Sequence, residues 1–118
     1  MAYVDGFLLV VPKKNIASYK KIAKLAGKVW REHGALDYKE CVGEDLDLPF
    51  GKPFPTLLRL KPDEAAVFSW ITYRSRAQRD RVNAKVMKDP RMVAMCNKSM
   101  PFNLKRMSMG GFEVLVSA

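Results

Sequence analysis

The chain has two cysteines, Cys41 and Cys96, and one histidine, His33, among its 118 residues. Two cysteines make no disulfide framework, and no CxxC or Cys/His spacing points to zinc. The expectation is two reduced thiols in a cytoplasmic protein. No stretch reaches the roughly 18 apolar residues that a membrane span needs, so no membrane association is expected. The apolar run in MAYVDGFLLVVPKK has no basic region ahead of it and carries Asp5, which suits a first strand better than a signal peptide. Ser69 and Cys41 sit in no GxSxG-like context that would make a nucleophile. Gly110-Gly111 precedes a strand and not a helix, so it is no phosphate-cradling loop. No residue pattern calls for a metal or a cofactor.

What is abundant is positive charge. Twenty-one Lys and Arg against 12 Asp and Glu give a formal charge of +9, and the pI is near 9.8. Seven basic residues lie between Lys13 and Arg31 and seven more between Arg74 and Arg91, whereas Glu32 to Glu64 holds eight acids and four bases. The charge therefore belongs to two segments rather than to a tail. At 118 residues and 48% hydrophobic content, residues 1–118 form one globular domain.

Residues 2–11 read as a strand apolar on both faces and ended by Pro12. Asn15 is a candidate N-cap for a helix running to about His33 and stopped by Gly34. At 100° per residue, Tyr19, Ile22, Ala23, Ala26, Val29, Trp30 and His33 share one face of it, and Lys20, Lys21, Lys24, Lys28 and Arg31 the other. Residues 36–42 alternate, with Leu36, Tyr38, Glu40 and Val42 on one side, as an edge strand does. Residues 43–64 hold four of the seven prolines and read as an excursion with a short strand at Thr56 to Leu60. Ala65 to Thr72 is apolar or small on both faces, so it lies centrally in a sheet. Ser75 with Gln78 makes a capping box for a helix from about Arg76 to Lys88. Pro90 allows a short turn to Asn97. Residues 98–109 read as irregular, and the glycine pair leads into a last strand, Phe112 to Val116.

The order is β-α-β-(loop)-β-α-β, the ferredoxin-like α+β fold with a four-stranded antiparallel sheet and strands one and three in the middle. Two helices cover one sheet face, so the other apolar face needs a partner, and a homodimer packed sheet to sheet supplies one.

The segments YVDGFLLVVPK, KVWREHGALDYKECVG and FSWITYRSRAQRDRVNAKVMKDPR, with the later MPF and GGF, resemble the YbaA-like family of uncharacterised bacterial proteins. The resemblance covers nearly the whole chain. It implies the dimeric α+β-barrel superfamily, whose other branches include cofactor-free monooxygenases, haem-degrading enzymes and small isomerases. It carries no catalytic residues over to this chain.

Candidate site residues follow from polar groups on otherwise apolar faces. His33 is a candidate catalytic base. Arg79 and Asn83 fall among Val82, Val86 and Met87 on the inward face of the second long helix. They can orient a carboxylate or carbonyl of a ligand, or tie helix to sheet through Asp5, Asp37 or Glu113. Trp30 and Trp70 are candidate ligand walls. The methionines Met87, Met92, Met95, Met100, Met107 and Met109 suit a dimer contact, a pocket lid or core packing. Three functions remain open. One is a dimer that binds a small organic ligand between sheet and helices, or acts on it without a metal. The second is a nucleic-acid-associated module using the lysine stripes, although no aromatic is interleaved with them and only non-specific contact is expected. The third is a non-enzymatic interaction module using the 43–64 excursion.

Overall fold

A computed structural model describes all residues from Met1 to Ala118. Strand β1 (Tyr3–Pro12) pairs antiparallel with β3 (Glu64–Tyr73) in an unbroken register from Tyr3 opposite Tyr73 to Pro12 opposite Glu64. Strand β2 (Asp37–Val42) flanks β3 and β4 (Ser108–Glu113) flanks β1, giving the sheet order β2-β3-β1-β4. The two strands that are apolar on both sides are thus the central pair, as a pleated chain covered twice must be. This is the ferredoxin-like α+β fold, and no helix is long and apolar enough to cross a membrane.

Helices α1 (Ile16–Glu32) and α3 (Arg76–Lys88) cover one sheet face. Val29 of α1, Val86 of α3, and Val11, Val67 and Tyr73 of the central strands are fully buried. Each such side chain contributes about 1.5–3 kcal/mol relative to exposure. Helix α1 stops at Gly34, whose φ of +116° strains any residue with a side chain. Helix α3 starts as its sequence implies, with Ser75 Oγ accepting from the Gln78 amide. The Gln78 side chain, instead of bonding back to Ser75, accepts from Arg74 N–H and donates to Gly34 O, linking the ends of the two helices. After Asp89, Pro90 opens the short helix α4 (Pro90–Cys96), capped by the Asp89 carboxylate.

Three expectations need correction. Residues 56–60 form no strand: helix α2 (Phe54–Leu58) lies there, because Pro53 and Pro55 preset helical entry and Arg59 closes it in the left-handed region. Asn15 precedes α1 but makes no side-chain cap; its amide donates to Pro101 O, and a single 3-10 turn, Lys13–Asn15, leads into the helix. The last strand begins at Ser108, so Gly110 and Gly111 lie inside β4, opposite Gly6 and Asp5. A Cβ on Gly111 would collide with the Tyr3 hydroxyl, so the glycine makes room for that ring.

The opposite sheet face is apolar and largely uncovered. Val4, Leu8, Phe68, Trp70 and Phe112 line a shallow depression of about 720 Å³ there, and the Phe68 and Trp70 rings pack 5.6 Å apart.

Helix α3 is tied to β1 by charge. The Arg79 guanidinium lies 3.3 Å from the carboxylate of Asp5, donates to the Tyr3 hydroxyl at 3.1 Å and sits 4.9 Å above the Tyr3 ring. Asp5 is only 3% exposed. Burial raises its pKa, and Arg79 opposes that rise. Removing Arg79 leaves a buried carboxylate unpaired. Arg79→Met is expected to cost about 3 kcal/mol in urea unfolding, toward the low end for breaking a buried pair, because Arg79 keeps 20% of its side chain in solvent. The sign with pH follows. A carboxyl whose folded pKa lies above its unfolded value favours folding when protonated, and that favour is lost as pH rises through the folded pKa. The deficit is therefore largest at neutral pH and shrinks as pH falls toward 3.8, the ordinary aspartate value. A deficit independent of pH would show that Asp5 does not carry the cost.

Candidate functional site

A cavity of about 170 Å³ lies between the sheet and the helices. Phe7 and Ile71 from the sheet, Ile22 and Trp30 from α1, and Met92 and Met95 from α4 line it. Of its 16 lining residues 14 are hydrophobic, and the exceptions are Glu40 and Ser69. A carboxylate in such a wall must find donors or lose its charge. Glu40 finds two: the Tyr19 hydroxyl donates to one oxygen at 2.7 Å and the Tyr38 hydroxyl to the other at 2.6 Å.

The local sequence explains this cluster. Tyr38 and Glu40 are two apart on β2, so the pleat puts both on the helix side, with Glu40 opposite Ser69 of β3. Tyr19 comes from the buried face of α1. Gly27 allows the approach of Tyr38, since a Cβ there would meet the ring at 2.8 Å. Burial, and then the hydrogen bond to Glu40, push the Tyr19 hydroxyl far above the ordinary phenol range. Burial and Glu40 do the same to Tyr38. Both phenols therefore stay protonated and act as donors, with the Glu40 oxygens as their acceptors.

Outside this cluster an open groove of about 850 Å³ runs between α1 and β2. Lys20, Lys24, Lys28 and Arg31 form one side of it, and Leu36 and Val42 lie on the other. Tyr19, Ala23, Tyr38 and Glu40 border both hollows and so form the wall between them.

The residues singled out in the sequence fall in three places. Trp30 lines the inner cavity and donates its indole N–H to Asn83 Oδ1 at 3.1 Å, and the Tyr73 hydroxyl donates to the same oxygen at 3.3 Å. Arg79 lies one turn before Asn83, engaged with Asp5 and Tyr3. Trp30, Asn83 and Arg79 are thus brought together along the α1–α3 contact. Trp70 stands on the opposite sheet face, apart from them. His33, just past the end of α1, places Nε2 2.9 Å from Asp89 Oδ2. Asp89 also accepts from the Arg91 guanidinium, which holds Glu32 at 2.7 Å. Arg91 and His33 hold the Asp89 carboxyl well below the usual range. Met92, Met95, Met100 and Met107 line the inner cavity, whereas Met87 and Met109 are exposed. No group of three or more His, Cys, Asp or Glu side chains is arranged to hold a metal ion. The sequence reading missed Glu40, although its signal was present as a carboxylate inside the stripe Leu36, Tyr38, Glu40, Val42.

Comparison with known proteins agrees with this architecture. A family model described as a protein of unknown function, DUF1428, matches residues 2–104. The uncharacterized protein YbaA of Escherichia coli K12 is 42% identical over 118 residues, covering 98% of both chains, and YbaA of Shigella flexneri matches equally. Among solved structures, Rv0793 of Mycobacterium tuberculosis superposes with a TM-score of 0.62 at 11% identity, covering 100% of this chain and 99% of its own. A dimeric ferredoxin-like protein from an uncultured marine organism superposes at 0.56 and 12% identity, with both chains fully covered. At such identities these two show the fold alone. The family match and the near-complete alignment with YbaA together establish that the chain belongs to the DUF1428, YbaA-like family.

Proposed function

We propose that the protein is a homodimer that binds a small organic molecule, or acts on it without a metal, between sheet and helices, with the carboxylate of Glu40 orienting it. The observation that carries this is the Tyr19–Glu40–Tyr38 cluster set into an otherwise apolar wall. A structural carboxylate needs no cavity beside it, and a core cavity needs no carboxylate. An apolar cavity of roughly 150 Å³ takes up a benzene ring, so the ligand's buried part is one ring or a short aliphatic chain. Glu40 would accept a hydrogen bond, or a proton, from the ligand's polar group, while the two phenols hold the resulting charge pattern in place. Trp30 would touch the ligand directly; Arg79, Asn83 and His33 would hold the surrounding elements in position. Cys41 and Cys96, both exposed and unpaired, suit a cytoplasmic site.

The dimer is supported by the uncovered apolar sheet face and by a fold neighbour described as dimeric. Covering Phe68 and Phe112, which are 46% and 62% exposed, is what a sheet-to-sheet partner accomplishes. Trp70 belongs to this interface rather than to the inner cavity.

Two measurements test the proposal. In solution the mass is expected to be twice the 13.4 kDa of the chain, and Trp70→Glu to halve it while the far-ultraviolet circular dichroism is kept. A wild-type monomer at micromolar concentration would refute the dimer. Titration with p-cresol, followed by amide shifts, is expected to move residues around Trp30 and Ile71. Glu40→Gln should weaken that binding about tenfold, the loss of roughly 1.4 kcal/mol. No shift at the cavity with millimolar probe would sink the ligand reading.

A further inference from the structure

Helix α1 carries Lys20, Lys24 and Lys28 at spacings of four, with Arg31 three residues further, so the four cations stand in one line along the groove. Like charges at this spacing repel and weaken a helix. Carboxylates one turn away would relieve such a line, and this one has none paired to its lysines. Arg79, Arg91, Arg106, Lys39 and Arg76 all have acidic partners, but none of Lys20, Lys24 and Lys28 has one. The sole acid of α1, Glu32, is taken by Arg91. The two acids of the groove are also spoken for: Asp37 pairs with Lys39, and both oxygens of Glu40 accept from phenols. Four cations thus face two carboxylates along the groove, and Lys20, Lys24 and Lys28 have no ion-pair partner, so the groove is net cationic.

Part of its remaining surface is apolar. Leu36 and Val42 are 45% and 55% exposed within it, and Ala23, Gly27 and Val67 complete the floor. Beyond the wall of Tyr19, Tyr38 and Glu40 lies the largely apolar inner cavity. A charged rim, an apolar floor and an apolar end compartment follow one another in space.

We infer that the α1–β2 groove binds a small amphipathic organic anion, its carboxylate or phosphate on Lys24 and Lys28 and its apolar body directed toward the Tyr19–Tyr38 wall. This deepens the ligand reading above and rests on it for the inner compartment. A polynucleotide fits less well. The cations line a confined groove, and no exposed aromatic stands among them on which a base can stack.

The test uses the full-length chain at low salt, with phenylacetate, phenyl phosphate and the neutral 2-phenylethanol as probes, read by calorimetry and amide shifts. At least one of the anions is expected to bind about tenfold more tightly than the alcohol, the range of charge-assisted contacts. The double change Lys24→Ala and Lys28→Ala should abolish that advantage and leave alcohol binding as it was. The control pair Lys85→Ala and Lys88→Ala, on α3, should change neither. Because alanine is the best helix former, the variants stay folded. Preference for phenyl phosphate over phenylacetate would identify the head as a phosphate, and the reverse as a carboxylate. Equal binding of anion and alcohol overturns the inference while leaving the inner-cavity reading intact. Absence of binding by any probe overturns both. Binding of a short single-stranded RNA through the same lysines, without binding of either anion, would replace the inference with a polyanion surface.

Discussion

Ten residues of β1 lie against ten of β3, and both strands present apolar side chains above and below the sheet. Burying that pair is the constraint from which the remaining architecture follows. One side is met within the chain: α1 and α3 bring Val29, Ala26, Val82 and Val86 onto Ile71 and Tyr73. The other side keeps Phe68, Trp70 and Phe112 facing outward. The chain therefore supplies half of what its own central strands require, and a second copy is the most economical source of the other half.

Polar groups inside this frame occur in pairs or chains. Asp5 meets Arg79, Asn83 takes the protons of Trp30 and Tyr73, and Asp89 takes those of His33 and Arg91. These contacts tie one element to another: helix to strand, helix to helix, and helix end to helix start. Glu40 likewise ties β2 to α1 through Tyr19, but it differs in that its cluster also borders a hollow. A half-satisfied polar cluster would weaken the core; a fully satisfied one beside empty space is the arrangement from which a ligand can borrow a hydrogen bond.

Much of the scaffold was legible in the sequence because it rests on local signals. The period-2 and period-3.6 patterns, Gly34 and the Ser75 cap act over a few residues and act as expected, although the Gln78 side chain turns to Arg74 and Gly34 instead of closing the capping box. The misses have long-range causes. Asn15 looks like a cap until Pro101, 86 residues away, claims its amide. The glycines of β4 look like a lead-in until Tyr3 needs the space above Gly111. The prolines of residues 53–55 signalled a break and in fact start a helix. In the site, Arg79 was readable as a polar residue on an inward face, and its pairing with Asp5 was one of three acids considered. Glu40 was overlooked because an edge strand's alternation tolerates one charged residue, and only the fold reveals that Tyr19 and Tyr38 converge on it.

The position of Glu40 on β2 has a kinetic side. Strand β2 is bonded to β3 alone among the strands. Edge elements of this kind open at lower free energy than the central ladder. The wall between groove and cavity is thus mounted in part on one of the sheet's two edge strands. Tyr38 and Glu40 are therefore held by a single ladder, while the central strands beneath them are each held by two.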